Sequence, residues 1–208
     1  MKRSITLVLS LFLLTQCAVS YKPIKPEEME FDQVFESDDI KFSYRYDALK
    51  YAGNKKAGKM EKRAKFRVVA GQITNKTTRT LNIDRDIDLF TDAEDPFYVD
   101  GISAANRMKQ NVNSYLLYGL LLYANFDCAD RGLNCKPTYV VPFGLGIAAY
   151  NMIKAKKANK QMAEEFEKYS IYTRNIAPGE TVYAILALEF EEEENLPLQL
   201  EIREHSKM

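Results

Sequence analysis

The chain lacks tryptophan and contains a single histidine, His205, and only three cysteines among its 208 residues. So few nitrogen and sulfur ligands disfavour a zinc site, and one histidine leaves little room for nucleophilic catalysis. The Gly-x-Ser-x-Gly motif that holds the nucleophile of many hydrolases is also missing. The sequence therefore indicates no enzyme, and we expect no metal and no cofactor.

An excess of charge of either sign is absent as well. The 29 basic residues balance 29 acidic ones, and removal of residues 1–16 would leave 27 basic against 29 acidic residues. Nucleic-acid binding requires a basic face that neutralises phosphates. We therefore expect no nucleic-acid partner.

The first apolar run, Ile5–Leu14, is too short to span a bilayer, which takes about 20 residues. It follows the basic pair Lys2-Arg3 and ends at Cys17, an order typical of a cleaved export signal. The segment resembles a bacterial lipoprotein signal in which Cys17 begins the mature chain, although Gln16 stands where that pattern prefers a small residue. An ordinary cleaved signal and an uncleaved anchor remain the alternatives.

The resemblance implies that Cys17 carries a diacylglycerol and an N-acyl chain such as palmitate, which together hold a protein firmly to a membrane. Ala18 rather than aspartate follows the cysteine. By similarity to the enterobacterial sorting rule, this favours the outer membrane. We expect a lipid-anchored protein of the bacterial cell envelope, on the periplasmic or the surface face.

Assigning Cys17 to lipid leaves Cys128 and Cys135, which flank a short polar loop. In an oxidising compartment we expect a disulfide between them. A metal pair is the alternative, but the spacing of the two cysteines and the single histidine disfavour zinc.

Alternation of apolar and polar residues predicts an antiparallel β-sandwich whose strands come from two separate segments of the sequence. The predicted strands cover residues 40–46, 66–74, 81–89, 181–190 and 196–203. The strand 181–190 is apolar on both faces, which is typical of a central strand that is covered twice. The basic stretch 50–65 is predicted as an exposed connection, with contact to anionic headgroups as its alternative.

Between the two pieces, length and composition predict helices over residues 112–126 and 139–169. A helical hairpin would then be inserted into the sandwich at about 102–169, which makes the fold class α+β and mainly β. The apolar residues of this hairpin either close the core or contact a membrane or a partner. The candidate contact residues are Leu116, Leu117, Leu120, Leu121, Val140, Val141, Phe143 and Ile147.

Two short motifs are better explained by structure than by chemistry. Gly144–Ala149 fits the dinucleotide fingerprint, but Pro142 interrupts the strand that this motif needs, so we expect close helix packing. Asp84–Asp88 resembles the start of a calcium loop but lacks the required glycine and glutamate, so we expect aspartates that alternate along a strand. The alternative is a looser calcium site at Asp92, Glu94 and Asp95.

Short segments in the second half of the chain carry a family resemblance. They are Pro142, Gly144, Asn151-Met152, Ala158-Asn159-Lys160, Phe166, Tyr169 and Ile176–Glu180. These segments resemble an uncharacterised group of lipoproteins from Bacteroidota, and Val68–Asn75 and Pro178–Phe190 are similar to strands of Ig-like β-sandwich domains. The resemblance implies a location and an Ig-like fold, and it carries no catalytic residues.

We therefore predict a signal peptide over residues 1–16, a lipid-anchored tether over 17–39 and a β-sandwich domain over 40–205. The expected function is a non-catalytic interaction module that docks an envelope protein partner. The first alternative is a lipid- or membrane-contacting protein that acts through the apolar hairpin. The second is an envelope hydrolase that uses carboxylates.

Overall fold

The computed structural model describes two compact units of the chain. Its described residues are 17–92, 96–120, 123–129, 134–141, 144–190 and 196–203, and side chains between residues 121 and 143 are outside the description. We call residues 17–20 and Gln110–Asn159 the insert unit, and Tyr21–Lys109 with residues 160–203 the sheet unit. The predicted signal peptide lies outside the described residues.

Helices and antiparallel strands are mixed along the chain, which confirms the coarse prediction of an α+β fold. Helix exceeds strand, so the expectation of a mainly β chain was wrong. The strands are β1 (Gln33–Glu36), β2 (Ile40–Arg45), β3 (Phe66–Asn75), β4 (Leu81–Asn82), β5 (Ile87–Phe90), β6 (Phe97–Val99), β7 (Tyr123–Ala129), β8 (Asn134–Val141), β9 (Asn175–Ile176), β10 (Thr181–Glu189) and β11 (Gln199–Ile202). The α-helices are α1 (Ala48–Tyr51), α2 (Lys55–Arg63), α3 (Ile83–Asp86), α4 (Gly101–Met108) and α5 (Gly144–Lys168). Two 3-10 helices cover Pro26–Glu28 and Asn113–Leu120.

Five strands of the sheet unit form one antiparallel sheet in the order β1-β2-β3-β10-β6. β3 and β10 pair at its centre, with Phe66 opposite Glu189 at one end. Both strands are buried on both faces over much of their length, as at Val68–Ala70 and Ala184–Leu188. The prediction of a central, twice-covered strand over 181–190 is confirmed.

The main hydrophobic core of the sheet unit lies against this sheet. β2 and β10 contribute Phe42 and Leu186, while the two-stranded pairs β5–β11 and β4–β9 contribute Ile87, Leu200 and Ile176. Among the described residues, the five-stranded sheet is therefore packed against short two-stranded pieces. This cluster holds β5 and β11 at the edge of the core, where they line the cavity described below.

Helices occupy the stretch 50–65 that was predicted as an exposed connection. α1 buries Leu49, and α2 buries Glu61. The Oε1 atom of Glu61 accepts a hydrogen bond from Val68 N at 2.6 Å, and burial raises the pKa of Glu61 to about 7. The stretch does connect the antiparallel strands β2 and β3, and only Asn54 and Glu61 are buried within it. Its helices were not predicted, because the buried position of α2 is an acid among lysines and no apolar period marks the helix.

The helical turn α3 interrupts the strand predicted over residues 81–89. Asn82 caps the turn, since its side-chain oxygen accepts a hydrogen bond from Arg85 N at 3.1 Å. The buried Asp86 accepts a hydrogen bond from Asn82 N at 2.7 Å, and its hydrogen bonds from Arg85 lower the pKa of Asp86 to about 2. The alternating aspartates therefore do not share one strand face.

The inserted segment contains a β-hairpin and a long helix, so the predicted helical hairpin is wrong. The predicted helix over 139–169 contains α5, and the one over 112–126 contains the 3-10 helix Asn113–Leu120. The facing ends of the two predicted helices instead belong to the paired strands β7 and β8. The sequence Val140-Val-Pro142 explains the difference. Valines favour strands, and a proline disfavours helical backbone at the residue before it.

The hairpin register places the two remaining cysteines opposite each other. Cys128 of β7 is the partner of Cys135 of β8. Directly opposed residues of antiparallel strands have Cα atoms about 4.5–5.5 Å apart, which suits a disulfide. The register is compatible with the disulfide, which stays a prediction.

We expect the exported protein to have no free thiol at Cys128 or Cys135. Alkylation without reductant, followed by mass spectrometry, should leave both residues unmodified, and prior reduction should expose both together. In Cys128→Ser, the released Cys135 should be alkylated completely. Alkylation of both cysteines in the unreduced wild-type protein would contradict the disulfide.

Gly71 of β3 lies against the ring of Phe42, and a larger residue should destabilise the sheet unit. A Cβ atom at Gly71 would come within 2.6 Å of Phe42 Cε2. The Phe42 ring stacks on Tyr44 with 4.7 Å between ring centroids, which limits its retreat. We expect Gly71→Ala to lower the free energy of unfolding by about 1–3 kcal/mol, measured by urea titration.

Gly58→Ala is the matched control, because it adds the same methyl group inside α2. The nearest neighbour of that methyl group would be 3.6 Å away. This variant should raise the free energy of unfolding by about 0.5–1 kcal/mol, since alanine favours the helix. Equal effects from the two variants would refute the steric explanation.

Candidate functional site

The insert unit has a small core of its own, in which two tyrosines face inward. Tyr115 and Tyr118 of the 3-10 helix are buried and stack with 6.2 Å between ring centroids. They pack with Ala18 and with Ala148 and Ala155 of α5. The spacing of three between the tyrosines matches one turn of a 3-10 helix, so both lie on the same face.

The same helix turns three leucines outward. Leu116, Leu117 and Leu120 are 57%, 69% and 76% exposed. They were candidate contact residues from the sequence. Of the other candidates, Ile147 is partly buried against the small core, Leu121 and Phe143 lie outside the described residues, and only the backbone of Val140 and Val141 is described.

The first turns of α5 continue this apolar surface, and basic residues follow them. Leu145, Tyr150 and Ile153 are exposed on its first turns. A Cβ atom at Gly119 would meet Leu145 Cδ2 at 3.4 Å, so the start of α5 adjoins the 3-10 helix. We call the six exposed side chains the apolar patch: Leu116, Leu117, Leu120, Leu145, Tyr150 and Ile153.

Basic residues follow the patch along α5. Lys154, Lys156 and Lys157 come directly after Ile153, and the Lys154 ammonium lies 5.9 Å from the centroid of the Tyr150 ring. Across residues 17–20 and 110–159 the sequence has five basic and two acidic residues. The insert unit is therefore positive, although the whole chain is neutral.

Cys17 lies beside the 3-10 helix that carries the leucines. Its side chain is exposed and free, and it shares a hydrogen bond with the hydroxyl of Tyr118. Burial first, and then the neighbouring Cys17, raise the pKa of Tyr118, so this hydroxyl stays protonated near neutral pH. A thioether at Cys17 would still offer a sulfur acceptor to the hydroxyl.

Side-chain amides of the insert unit fix the two residues after Cys17. Ala18 N donates to Asn151 Oδ1 at 2.8 Å. Val19 N donates to Gln110 Oε1 at 3.1 Å, and Gln110 Nε2 donates back to the Val19 carbonyl at 2.7 Å. Gln110 is itself held by Asn159, whose Oδ1 accepts from Gln110 N at 2.8 Å.

The chain is held in the same way where it continues into the sheet unit. Lys22 exchanges two hydrogen bonds with the side chain of Asn54, at 2.8 and 2.6 Å. The Glu165 carboxylate accepts from Tyr21 Oη at 2.5 Å and from Ile24 N at 3.0 Å. Polar side chains therefore bind the backbone of residues 18–25, which lie within the tether predicted over 17–39.

The remaining candidate chemistry finds no support in the described part of the chain. No group of three acidic, cysteine or histidine side chains within these residues could hold a metal ion. None of the described helices has both the length and the apolar composition to cross a bilayer. The alternative calcium site falls partly outside the described residues, at Glu94 and Asp95.

Sequence reasoning missed part of this site. Leu145, Tyr150 and Ile153 recur every three to five positions, opposite a helix face of small residues, and that period could have identified them. Gln110 and Asn151 could not be identified in this way. Their side-chain amides bind backbone atoms, which any residue type offers, so the contact leaves no pattern in the sequence.

Comparisons with protein-family models, with curated proteins and with solved structures find no match. The function proposed below therefore depends on the geometry of the insert unit and on the sequence around Cys17.

We expect Gln110→Glu to release the chain after Cys17. The carboxylate could no longer donate to the Val19 carbonyl, and its charge would be buried against that oxygen, at a cost of about 1–3 kcal/mol. Amide hydrogen exchange of a peptide covering Val19 should accelerate at least tenfold.

Asn111→Asp is the matched control. It introduces the same negative charge at the neighbouring position. Asn111 is exposed, and its side chain takes part only as an acceptor, since Oδ1 accepts a hydrogen bond from Asn113 N at 3.1 Å. Exchange at Val19 should stay as in the wild type. Equal protection in the two variants would show that the Gln110 amide does not hold this segment.

Proposed function

We propose that the protein is a lipid-anchored, non-catalytic protein of the bacterial cell envelope whose insert unit contacts the membrane that holds its acyl chains. The supporting observation is the position of Cys17 beside the 3-10 helix that exposes Leu116, Leu117 and Leu120. An acyl group on Cys17 would start at the same surface as these leucines.

The apolar patch would gain free energy at a bilayer that it cannot gain in water. Burial of a leucine side chain contributes about 1.5–3 kcal/mol, and interfacial elements insert their apolar faces about 5–10 Å into the boundary of headgroups and acyl chains. Three leucines next to the anchor would therefore add to the acyl chains in holding the insert unit at the surface.

The order of residues along α5 fits the same orientation. At 1.5 Å per residue, Lys154 lies roughly 13 Å along the helix axis from Leu145. An insert unit that buries Leu145 would bring its lysines to the level of the phosphates. Near an anionic membrane each lysine contributes about 1 kcal/mol.

Several finer expectations belong to this proposal. Ala18 after the cysteine supports the outer membrane, and the opposed cysteines of β7 and β8 support an oxidising compartment. The single core that joins the five-stranded sheet to the pairs β5–β11 and β4–β9 supports the Ig-like interpretation of the sheet unit. That unit would remain available to an envelope partner.

A vesicle experiment on the chain from residue 17 carrying Cys17→Ala tests the patch without the anchor. We expect partial co-sedimentation with phosphatidylcholine vesicles, and at least tenfold stronger binding when about 30% of the lipid is the anionic phosphatidylglycerol. Replacement of Leu116, Leu117 and Leu120 by serine should reduce the partition coefficient at least tenfold.

The control replaces three exposed apolar residues of the sheet unit by serine: Val34, Phe97 and Ile102. This variant should bind vesicles like the parent chain. Absence of binding to either vesicle, or equal losses in the two triple variants, would refute the membrane contact. If the variant with serine at Leu116, Leu117 and Leu120 lost chemical crosslinks to an envelope protein but bound vesicles like the parent chain, the result would instead favour a protein partner.

A further inference from the structure

The sheet unit contains a cavity of about 540 Å³ that is separate from the apolar patch. This volume lies within the range of small-molecule sites, roughly 300–1,000 Å³. Its interior is formed by Ile73 and Leu186 of the central strands, by Leu200 of β11 and by Ile171. These four side chains are buried, so the floor of the cavity is apolar.

Acidic side chains outnumber basic ones at the rim. Asp84, Asp88 and Glu201 line the cavity together with a single cation, Arg203. Arg203 is already engaged, because its Nε donates to both oxygens of Asp88 at 2.8 Å and its Nη1 donates to the Asp84 carbonyl at 2.9 Å. The guanidinium is therefore poorly placed to receive an anionic ligand.

The other two carboxylates differ from Asp88 in their surroundings. Asp84 shares a hydrogen bond with the hydroxyl of Tyr172, which is a neutral partner. Glu201 is exposed and forms no ion pair with any residue in the described ranges. The charge of Arg203 acts on Asp84 as well as on Asp88, so three carboxylates share one cation and the rim carries a net negative charge.

A stacked aromatic pair forms one wall. The rings of Tyr98 and Tyr172 are parallel within 7° and 4.9 Å apart. The Tyr98 hydroxyl lies 3.3 Å from Ser170 Oγ, which helps to hold the ring in place. Ring faces next to carboxylates attract cations as well as apolar groups.

We propose that this cavity binds an amphiphilic amine, with the apolar part of the ligand between Ile73, Leu186 and Leu200 and its ammonium group at Asp84 and Glu201. An apolar interior selects a hydrocarbon chain or ring. The net negative charge of the rim favours a cationic head over a neutral one and disfavours an anionic head.

Octylammonium, octanol and octanoate provide a matched series, because they share one apolar chain and differ in head charge. We expect isothermal titration of the chain from residue 17 carrying Cys17→Ala to rank octylammonium first and octanoate last, at least tenfold apart at low salt. Glu201→Gln should reduce the preference for octylammonium over octanol at least threefold. Equal affinities for the three compounds would overturn the proposal.

Leu89→Trp should fill the cavity and weaken octylammonium binding at least tenfold, because Leu89 of β5 lines it. Ile102→Trp is the control, since Ile102 is exposed on α4 and does not line the cavity. Both variants should unfold within a few degrees of the parent. Unchanged binding in a folded Leu89→Trp variant would overturn the proposal.

Serine replacement of Leu116, Leu117 and Leu120 separates this proposal from the membrane contact. It should leave octylammonium binding unchanged while reducing vesicle binding. Loss of octylammonium binding in that variant would show that the amine adsorbs to the apolar patch, which would overturn the cavity assignment and leave the membrane contact standing.

Discussion

The pairing of β3 with β10 is the constraint on which the rest of the sheet unit depends. More than 100 residues separate the two strands in sequence, so their pairing must overcome a considerable loop-closure entropy. Burial on both faces offsets that cost. β2 joins the sheet through β3 and β6 through β10, and Gly71 lets Phe42 of β2 lie close to β3.

Elements with a single, strong periodicity were predictable from sequence. The prediction of strands at 66–74 and 181–190 agrees with β3 and β10 to within one residue at each end. The helix predicted over 139–169 contains α5, in which the buried residues Ala155, Ala158, Met162 and Phe166 recur every three or four positions. In these elements, burial in the core is recorded directly as a repeat of apolar residues.

Other elements are held by interactions that leave no repeat. Glu61 ties α2 to β3 through one carboxylate, and Asn82 and Asp86 form α3 from polar contacts alone. The β7–β8 hairpin depends on local backbone preferences, such as those of Val140-Val-Pro142. The helix prediction was based on composition and did not take these preferences into account. Likewise, the leucines of the candidate site were identified from the sequence, but their exposure was not. It depends on the inward packing of Tyr115 and Tyr118, which no sequence pattern predicts.

The amide contacts of Gln110 and Asn151 have a consequence for the kinetics of attachment under the proposed function. They leave almost no slack between the sulfur of Cys17 and the insert unit. An acyl anchor and a leucine cluster joined by so short a link act as a bivalent ligand, in which the second contact forms at millimolar effective concentration. Each contact can be weak while the pair dwells long on the bilayer. Two points of attachment also restrict the tilt of the insert unit, which a flexible linker would leave free.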